Sequence, residues 1–531
     1  MKSFTTTGPC IPSVNYMVDL SERVNQIKDM IDKGQYFTIN RGRQYGKTTT
    51  LNQIYQNLKS EYLVLNLSFE GIGNAGFESE QTFVKAFCRK LKRELRAELA
   101  LSENIKATID EFISRKEEQA GLDELFDLIM DLCDESDKPV VLLIDEVDSA
   151  SNNQVFLDFL AQLRNAYIYR NTRGFPAFKS VILAGVTDIK SLKRKIRPDE
   201  DSKLNSPWNI ASPFNVDMSL SVKGIAGMLE EYEKDHNTCM NVNEISQEIH
   251  DYTNGYPFLV CRICQIIDTE LIGGKFETPS QAWTIYGVSE AVKKILLERN
   301  TLFDSLMGKV HNNSELRNTI QTVLFSGEKV TYSPYNVSVM DGEMYGFFNF
   351  SSYGALTISN RIFETSLYNY FLSENEIKNN PFLYAVSGKH EQFIKNGRLD
   401  MEAVLTKYIE AFGDIYEEKL EKFSEEEGRR RFLLFIRPII NGTGNYYIEA
   451  QTRNNERMDL VIDYMGIRHV VELKIWRGKA YHEEGEKQLA KYLDHYRLNT
   501  GYLLTYCFNK NAKSELVTKT VEGKTLIEAI V

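Results

Sequence analysis

"INRGRQYGKTTTL" (39–51) closes the strand-like run "QYFTIN" (35–40) and opens "GKTTTLNQIYQNLKS" (46–60), which has helical spacing. Gly46, Lys47 and Thr48 make a GK[ST] triplet between strand and helix. Phosphate is bound well by such a junction. Successive backbone N–H groups and a helix N-terminus surround its oxygens, Lys47 reaches the β and γ phosphates, and the Thr48 hydroxyl ligates Mg²⁺. Gly42 and Thr49 complete the expected nucleotide-binding set. The glycine usual five places before Gly46 is Arg41, with Gly42 next, so the entry to the loop departs from the common pattern.

Working outward, "SERVNQIKDMIDKG" (21–34) places Val24, Ile27, Met30 and Ile31 on one helical stripe that Ser21 is placed to cap. Strand-like runs follow at "YLVLNLSF" (62–69), "VVLLIDEVD" (140–148) and "SVILAGVT" (180–187), separated by helical stretches. Alternation of this kind predicts an α/β fold with a doubly wound parallel sheet, whose ligands sit at the carboxyl ends of its strands. Asp145 and Glu146 end one such strand, where an acidic pair would hold the magnesium shell and polarise an attacking water. The competing reading is a buried strand with a charged exposed end.

At 531 residues the chain exceeds what one hydrophobic core organises, and 42% hydrophobic with 26% charged residues is globular composition. No apolar run reaches the ~20 residues of a membrane helix, and the N-terminus lacks the apolar core of a secretory leader. A cytoplasmic protein without membrane contact is expected. The seven cysteines are scattered, and Cys261-x-x-Cys264 lies in the apolar helical run "FLVCRICQII", which reads as core rather than zinc. A net charge of −11 argues against a generally basic nucleic-acid coat, though not against a local groove.

"RQYGKTTTL", "LIDEVDS", "FLDFLAQLRNAY", "LAGVTDIKSL", "SPFNV" and "YTNGYPFLVCRIC" stand in the same order as in AAA-like ATPases related to the STAND class of P-loop proteins, and residues 12–290 resemble that family. The resemblance implies ATP and Mg²⁺ as cofactors. Lys47 and Thr48 would bind phosphate and metal, Asp145 the metal and Glu146 the water. Thr187 or Asp188 would act as sensor, and Arg164 or Arg170 could serve as a transition-state arginine, although a solvated helix face is the plainer role for both. The expected division is an ATPase core (1–217), a helical lid (218–299), a winged-helix-like segment (300–372) and a linker (373–394). The winged segment rests on "SELRNTIQTVLFSG", the hairpin-like "EMYGFFNFSSYGALTIS" and "IFETSLYNYF". It is not basic, so packing or regulation is expected of it rather than DNA reading.

The last segment, 395–531, turns on "RMDLVIDYMGIRHVVELKIWRG" (457–478), two apolar strand-like runs joined by a Gly turn. Asp459 opens the first, and Glu472 and Lys474, two apart on the second, share a face. Charges in apolar strands are costly unless a metal or partner receives them. Two carboxylates can hold Mg²⁺ while an ammonium orients water against a phosphodiester. A plain cross-strand ion pair is the bland alternative. The constellation resembles the PD-(D/E)XK nuclease superfamily, with its restriction-endonuclease-like α/β fold; Met458 replaces the usual Pro. The resemblance implies Asp459, Glu472 and Lys474 as catalytic residues, the first two as metal ligands. Glu427 on a preceding helix, Glu449 on a first strand and Gln488 on a later helix would support them. Arg429, Arg430 and Arg431 read as a solvated helix face, and His469 and His482 as surface residues.

Fusions of an AAA-like ATPase to this nuclease fold are common in bacteria. Two functions remain open. One is a nucleotide-gated nuclease acting on nucleic acid, most readily DNA, linked to defence or mobile elements. The other is a non-cleaving ATP-dependent switch with a binding domain of nuclease-like fold. Homo-oligomers are compatible with either.

Overall fold

The computed structural model describes residues 2–97, 102–114, 121–150, 153–186, 208–325, 330–350, 354–378, 390–415, 423–440, 444–448, 460–509 and 513–531. These form two compact units: residues 1–232 with 344–346, and residues 233–343 with 347–531.

In the first unit the elements run α1 (Ser21–Asp32), β1 (Phe37–Asn40), α2 (Lys47–Leu58), β2 (Leu63–Ser68), α3 (Glu80–Glu94), α4 (Glu103–Ser114), α5 (Leu122–Glu135), β3 (Val140–Asp145), α6 (Gln154–Arg173) and β4 (Ser180–Gly185). Helix α7 (Val222–His236) carries the chain out. The four strands are parallel, in the order β1-β4-β3-β2. "SPFNV" adds an isolated parallel bridge, Ser212 to Phe37, outside β1. β3 and β4 are buried along their whole length, as strands covered on both faces must be, which is why their sequences are unbroken apolar runs. Alternate residues feed two cores. Leu142 and Ile144 join Phe83, Phe87 and Phe159 on one face. Val141 and Leu143 join Ile27, Leu51 and Ile182 on the other. Ser21 is the first residue of α1 rather than its cap, which is Leu20; Asp19, one residue before it, accepts from the Ser21 N–H at 2.9 Å.

The second unit begins with helices α8 (Val242–Thr253), α9 (Pro257–Ile266), α10 (Pro279–Ala282), α11 (Ile285–Leu297), α12 (Thr301–Asn312), α13 (Ser314–Phe325) and α14 (Val337–Tyr345). A hairpin, β5 (Phe348–Phe350) with β6 (Leu356–Ile358), precedes α15 (Arg361–Lys378), so the first residues of the expected linker continue a helix. Cys261 and Cys264 are buried in α9, and burial pushes the Cys264 thiol far up, as a core role requires. A short hairpin, β7 (Ile394–Lys395) and β8 (Arg398–Leu399), leads to α16 (Met401–Ile415) and α17 (Glu425–Ile440).

Then come β9 (Gly444–Ile448), β10 (Leu460–Tyr464), β11 (Ile467–Ile475), α18 (Lys479–His495), β12 (Thr500–Tyr506), β13 (Glu515–Val521) and β14 (Lys524–Ile530). Their sheet has the order β13-β14-β12-β11-β10-β9. β9, β10 and β11 are antiparallel; β12 is parallel to β11 and β14, and β13 closes the far edge antiparallel. From α17 to β12 the order is therefore α-β-β-β-α-β. The β10–β11 turn is two residues, Met465 (φ 53°) and Gly466 (φ 79°), the left-handed pair that matches strand twist in a tight hairpin. Among the described residues no helix is long and apolar enough to cross a membrane.

Candidate functional site

The loop between β1 and α2 curls through left-handed residues at Gln44 (φ 55°) and Gly46 (φ 78°), the kind of turn that aims successive N–H groups inward. Lys47, the first helical residue, is buried and donates to the Arg41 and Gly42 carbonyls at 3.0 and 2.9 Å. Burial holds its ammonium below the ordinary lysine range, opposed by Glu146, Asp148 and Asp145. Arg41 does not fill the loop. Its guanidinium donates to the Asn40 and Val216 carbonyls at 2.8 and 3.2 Å and lies over the Phe214 ring. The missing glycine is thus accommodated by sending the side chain away. Thr49 accepts from the Cys10 N–H at 3.1 Å.

Thr48 Oγ1 donates to Asp145 Oδ2 at 2.6 Å, which brings the helix start and the end of β3 to one point. Asp145 Oδ1 also accepts from the Glu146 N–H at 2.9 Å. Glu146 has φ 54°, a costly backbone state for a residue with a Cβ, of the kind that collects at functional positions. Burial, then the adjacent Asp145, raises its carboxyl above the usual range. A hydroxyl and a carboxylate in contact beside a buried ammonium and an N–H-lined turn suit a magnesium–nucleotide. Thr187 and Asp188 lie outside the described residues. Asp148, which the motif reading passed over, accepts from the Val186 N–H at 2.6 Å and anchors the end of β4 just before them.

Of the two arginines considered for the transition state, Arg170 does not lie free on a solvated helix face. Arg164 is half-buried. Arg170 donates to the Phe178, Lys179 and Gly34 carbonyls at 2.5, 2.6 and 2.7 Å and lies over the Tyr36 and Tyr167 rings, clamping the end of α6 to the start of β4. Its fork is spent on backbone.

In the second sheet, Glu472 and Lys474 share a face of β11 and pair at 3.0 Å. Glu472 is 1% exposed. Lys474 runs closely across Gly485 of α18, where an added Cβ would meet the lysine Cε at 3.0 Å and the lysine would have to give by a few tenths of an ångström. Asp459 and Glu449 lie outside the described residues. Gln488 donates to the Tyr492 hydroxyl one turn along α18. Glu427 is taken up by Arg430 and Arg431, at 3.3 and 2.7 Å. The acid of α17 that reaches β11 is Glu425, accepting from the Ile475 N–H at 3.2 Å and the Tyr481 hydroxyl at 3.0 Å. Arg429 is buried rather than solvated.

His469 and His482 are buried too, against the surface roles expected for them. Nε2 of His482 stands 3.0 Å from Glu528, whose other partners are Thr505 (2.7 Å) and Lys519 (2.7 Å); Lys519 also holds Glu486 at 2.8 Å. Burial alone would raise the Glu528 carboxyl, but hydrogen bonds from His482, Lys519 and Thr505 bring it to about 2. The geometry of His482, Glu486 and Glu528 would admit a metal ion, yet Lys519 already supplies the balancing charge. The signal for this cluster was a lone Glu inside the apolar strand "KTLIEAI", the same signal that exposed Glu472.

A family model described as an AAA-like domain matches residues 12–341. Among solved structures, the chain is similar to a Walker-type ATPase of Pyrococcus abyssi (11% identity, 68% of this chain and 99% of the other, TM-score 0.45). It is similar also to the ADP form of ORC2 from Aeropyrum pernix (10% identity, 66% and 93%, TM-score 0.36). A third is RuvB of Thermotoga maritima, described as a Holliday junction branch migration motor (12% identity, 68% and 96%, TM-score 0.32). No curated protein matches. The sheet β9–β14 lies beyond the family match.

Proposed function

The chain belongs to the AAA-like family through residues 12–341, and from that premise we propose that it binds and hydrolyses ATP and uses its C-terminal domain as a nucleotide-gated, Mg²⁺-dependent nuclease acting on DNA. In the first unit, Lys47 and the turn N–H groups would hold the β and γ phosphates, and Thr48 and Asp145 the metal. Magnesium there would neutralise charge developing on the phosphoryl oxygens. Glu146, with its raised carboxyl, would orient the attacking water, and Thr187 would monitor the γ phosphate.

The observation that carries the nuclease reading is the buried Glu472–Lys474 pair within an α-β-β-β-α-β order. Glu472 with Asp459 would bind the metal, Lys474 would orient the water against the phosphodiester, and Gln488 and Glu449 would support them. The proposed domains remain 1–217, 218–299, 300–372, 373–394 and 395–531. The 3.0 Å contact equally suits a structural ion pair, which keeps the non-cleaving switch as the second reading.

The deciding experiment incubates plasmid, linear duplex, single-stranded DNA and RNA with Mg²⁺ or Mn²⁺, with and without ATP. The proteins are wild type, Asp459→Ala, Lys474→Ala and Lys47→Ala. Metal-dependent cutting lost in the first two variants supports the nuclease, and altered ATP response in Lys47→Ala supports gating. Nucleotide binding with no cutting under any condition moves the switch ahead.

A further inference from the structure

The Glu472–Lys474 face does not end at Lys474. Trp476 is the first residue after β11; its N–H donates to the Tyr506 carbonyl at 2.9 Å, which closes the last pair of the β11–β12 ladder, Ile475 with Tyr506. Lys474 crosses α18 at Gly485 and the Trp476 ring lies against His482 of the same helix, so Glu472, Lys474 and Trp476 lie on the α18 side of the sheet. Exposure climbs along this row, from 1% at Glu472 to 13% for the Lys474 side chain and 36% at Trp476. The other two tryptophans, Trp208 and Trp283, are fully buried.

An exposed indole loses the burial that is its chief stabilising contribution, yet this one is held in place. His482 lies against it with ring centroids 4.9 Å apart. Next to it, Tyr481 is fixed by its hydroxyl bond to Glu425, and its ring carries Lys474 Nζ at 5.9 Å and the Arg477 guanidinium at 5.7 Å from its centroid. Arg477 is exposed, and the Lys479 side chain is 87% exposed. Of the acids around the indole, Glu425 is engaged by Tyr481 and the Ile475 N–H, Glu483 lies 3.8 Å from Lys479, and Glu486 and Glu528, beside His482, are both paired with Lys519.

We propose that Trp476 is a stacking platform for an unpaired base of single-stranded DNA, with Arg477 and Lys479 receiving the flanking phosphates, so that the adjoining phosphodiester is led toward Glu472 and Lys474. The inference rests on the nuclease reading and names the form of its substrate. An aromatic face flanked by cations binds unpaired strands because every base offers a π face, whereas bases in a duplex have theirs occupied by neighbours.

Because Trp476 is the one exposed tryptophan of the three, the ligand-induced change in intrinsic fluorescence that Trp476→Phe removes reports on it. The full-length protein in EDTA is titrated with an oligothymidylate, a duplex and an oligouridylate, following fluorescence and, independently, the anisotropy of a labelled oligonucleotide. Quenching by oligothymidylate is expected in wild type and absent in Trp476→Phe. By anisotropy, Trp476→Phe should retain most of the affinity, Trp476→Ala should lose roughly ten-fold or more, and Arg477→Ala should bind more weakly with a shallower salt dependence. Thermal melting checks that the variants fold. Unchanged affinity in Trp476→Ala, or duplex bound as tightly as single strands, overturns the platform; tighter binding of oligouridylate overturns its assignment to DNA. Quenching without cleavage by wild type leaves the platform standing and removes the nuclease reading. Cleavage abolished by Lys474→Ala but indifferent to Trp476→Ala does the reverse.

Discussion

Gly485 illustrates how one missing Cβ serves a neighbouring side chain. Ala at this helical position should be neutral or stabilising by about 0.5–1 kcal/mol on propensity, but its methyl would meet Lys474 at 3.0 Å. On the nuclease reading proposed above, Gly485→Ala is therefore expected to leave the melting temperature unchanged or raised while cleavage falls about ten-fold or more. Loss of both together would mean that the glycine serves the fold alone. His469 is a second case. Burial holds its imidazole down at about 4, below the ordinary 6.5, so the folded state resists the proton that the unfolded chain accepts. Its contribution is complete above pH 6.5 and is lost as the pH falls toward 4. At pH 5 this amounts to about 2 kcal/mol of lost stability. Chemical denaturation of wild type and His469→Gln at pH 7 and pH 5 should show a smaller acid loss in the variant. Both histidines looked like surface residues because no pattern of spacing marks a His that faces inward from one side of a strand or helix.

At the scale of elements, the β10–β11 hairpin shows a local compromise. Its turn needs two left-handed residues, and Met465 supplies one at a backbone cost, with its side chain exposed. Met465→Asn should stabilise the protein by up to about 1 kcal/mol, read as a raised denaturation midpoint at unchanged slope. The alternation in "HVVELKI" by itself puts Glu472 and Lys474 on one face. The phosphate loop was equally readable, because its residues are neighbours in sequence. The Arg170 clamp was not: its acceptors, the Gly34, Phe178 and Lys179 carbonyls, lie on two other segments of chain, and no local rule brings three carbonyls to one guanidinium.

At the scale of the second unit, a buried charge cluster ties helix α8 to the β10–β11 hairpin. Arg468 of β11 pairs with Glu248 of α8 and lies 3.7 Å from Asp463 of β10, and its guanidinium sits over the Tyr496 ring. Burial opposes the Arg468 charge, but Glu248, Tyr252, Tyr496 and Asp463 together keep it firmly ionised. Gly466 of the turn packs against Tyr286 of α11. Breaking one side of such a pair leaves a charge stranded, so Arg468→Met alone should destabilise by about 3–5 kcal/mol, while Arg468→Met with Glu248→Met should recover much of that. Additive losses in the double-mutant cycle would show that the two residues act separately. No short-range pattern in the sequence marks this junction, since Glu248 and Arg468 are 220 positions apart.

What the sequence by itself determined is what neighbours and short periods encode: the strand–loop–helix that cradles phosphate, the apolar runs of a parallel sheet, and a carboxylate and a lysine two apart on a strand. Tertiary structure alone decided which arginines are spent on carbonyls, which histidines are dry, and where Lys474 finds a bare helix to cross. It also decided that α8 and the last sheet share one charged cluster. These depend on distances between remote segments, and a chain's local preferences carry no record of them until the packing of the whole sets each segment against another.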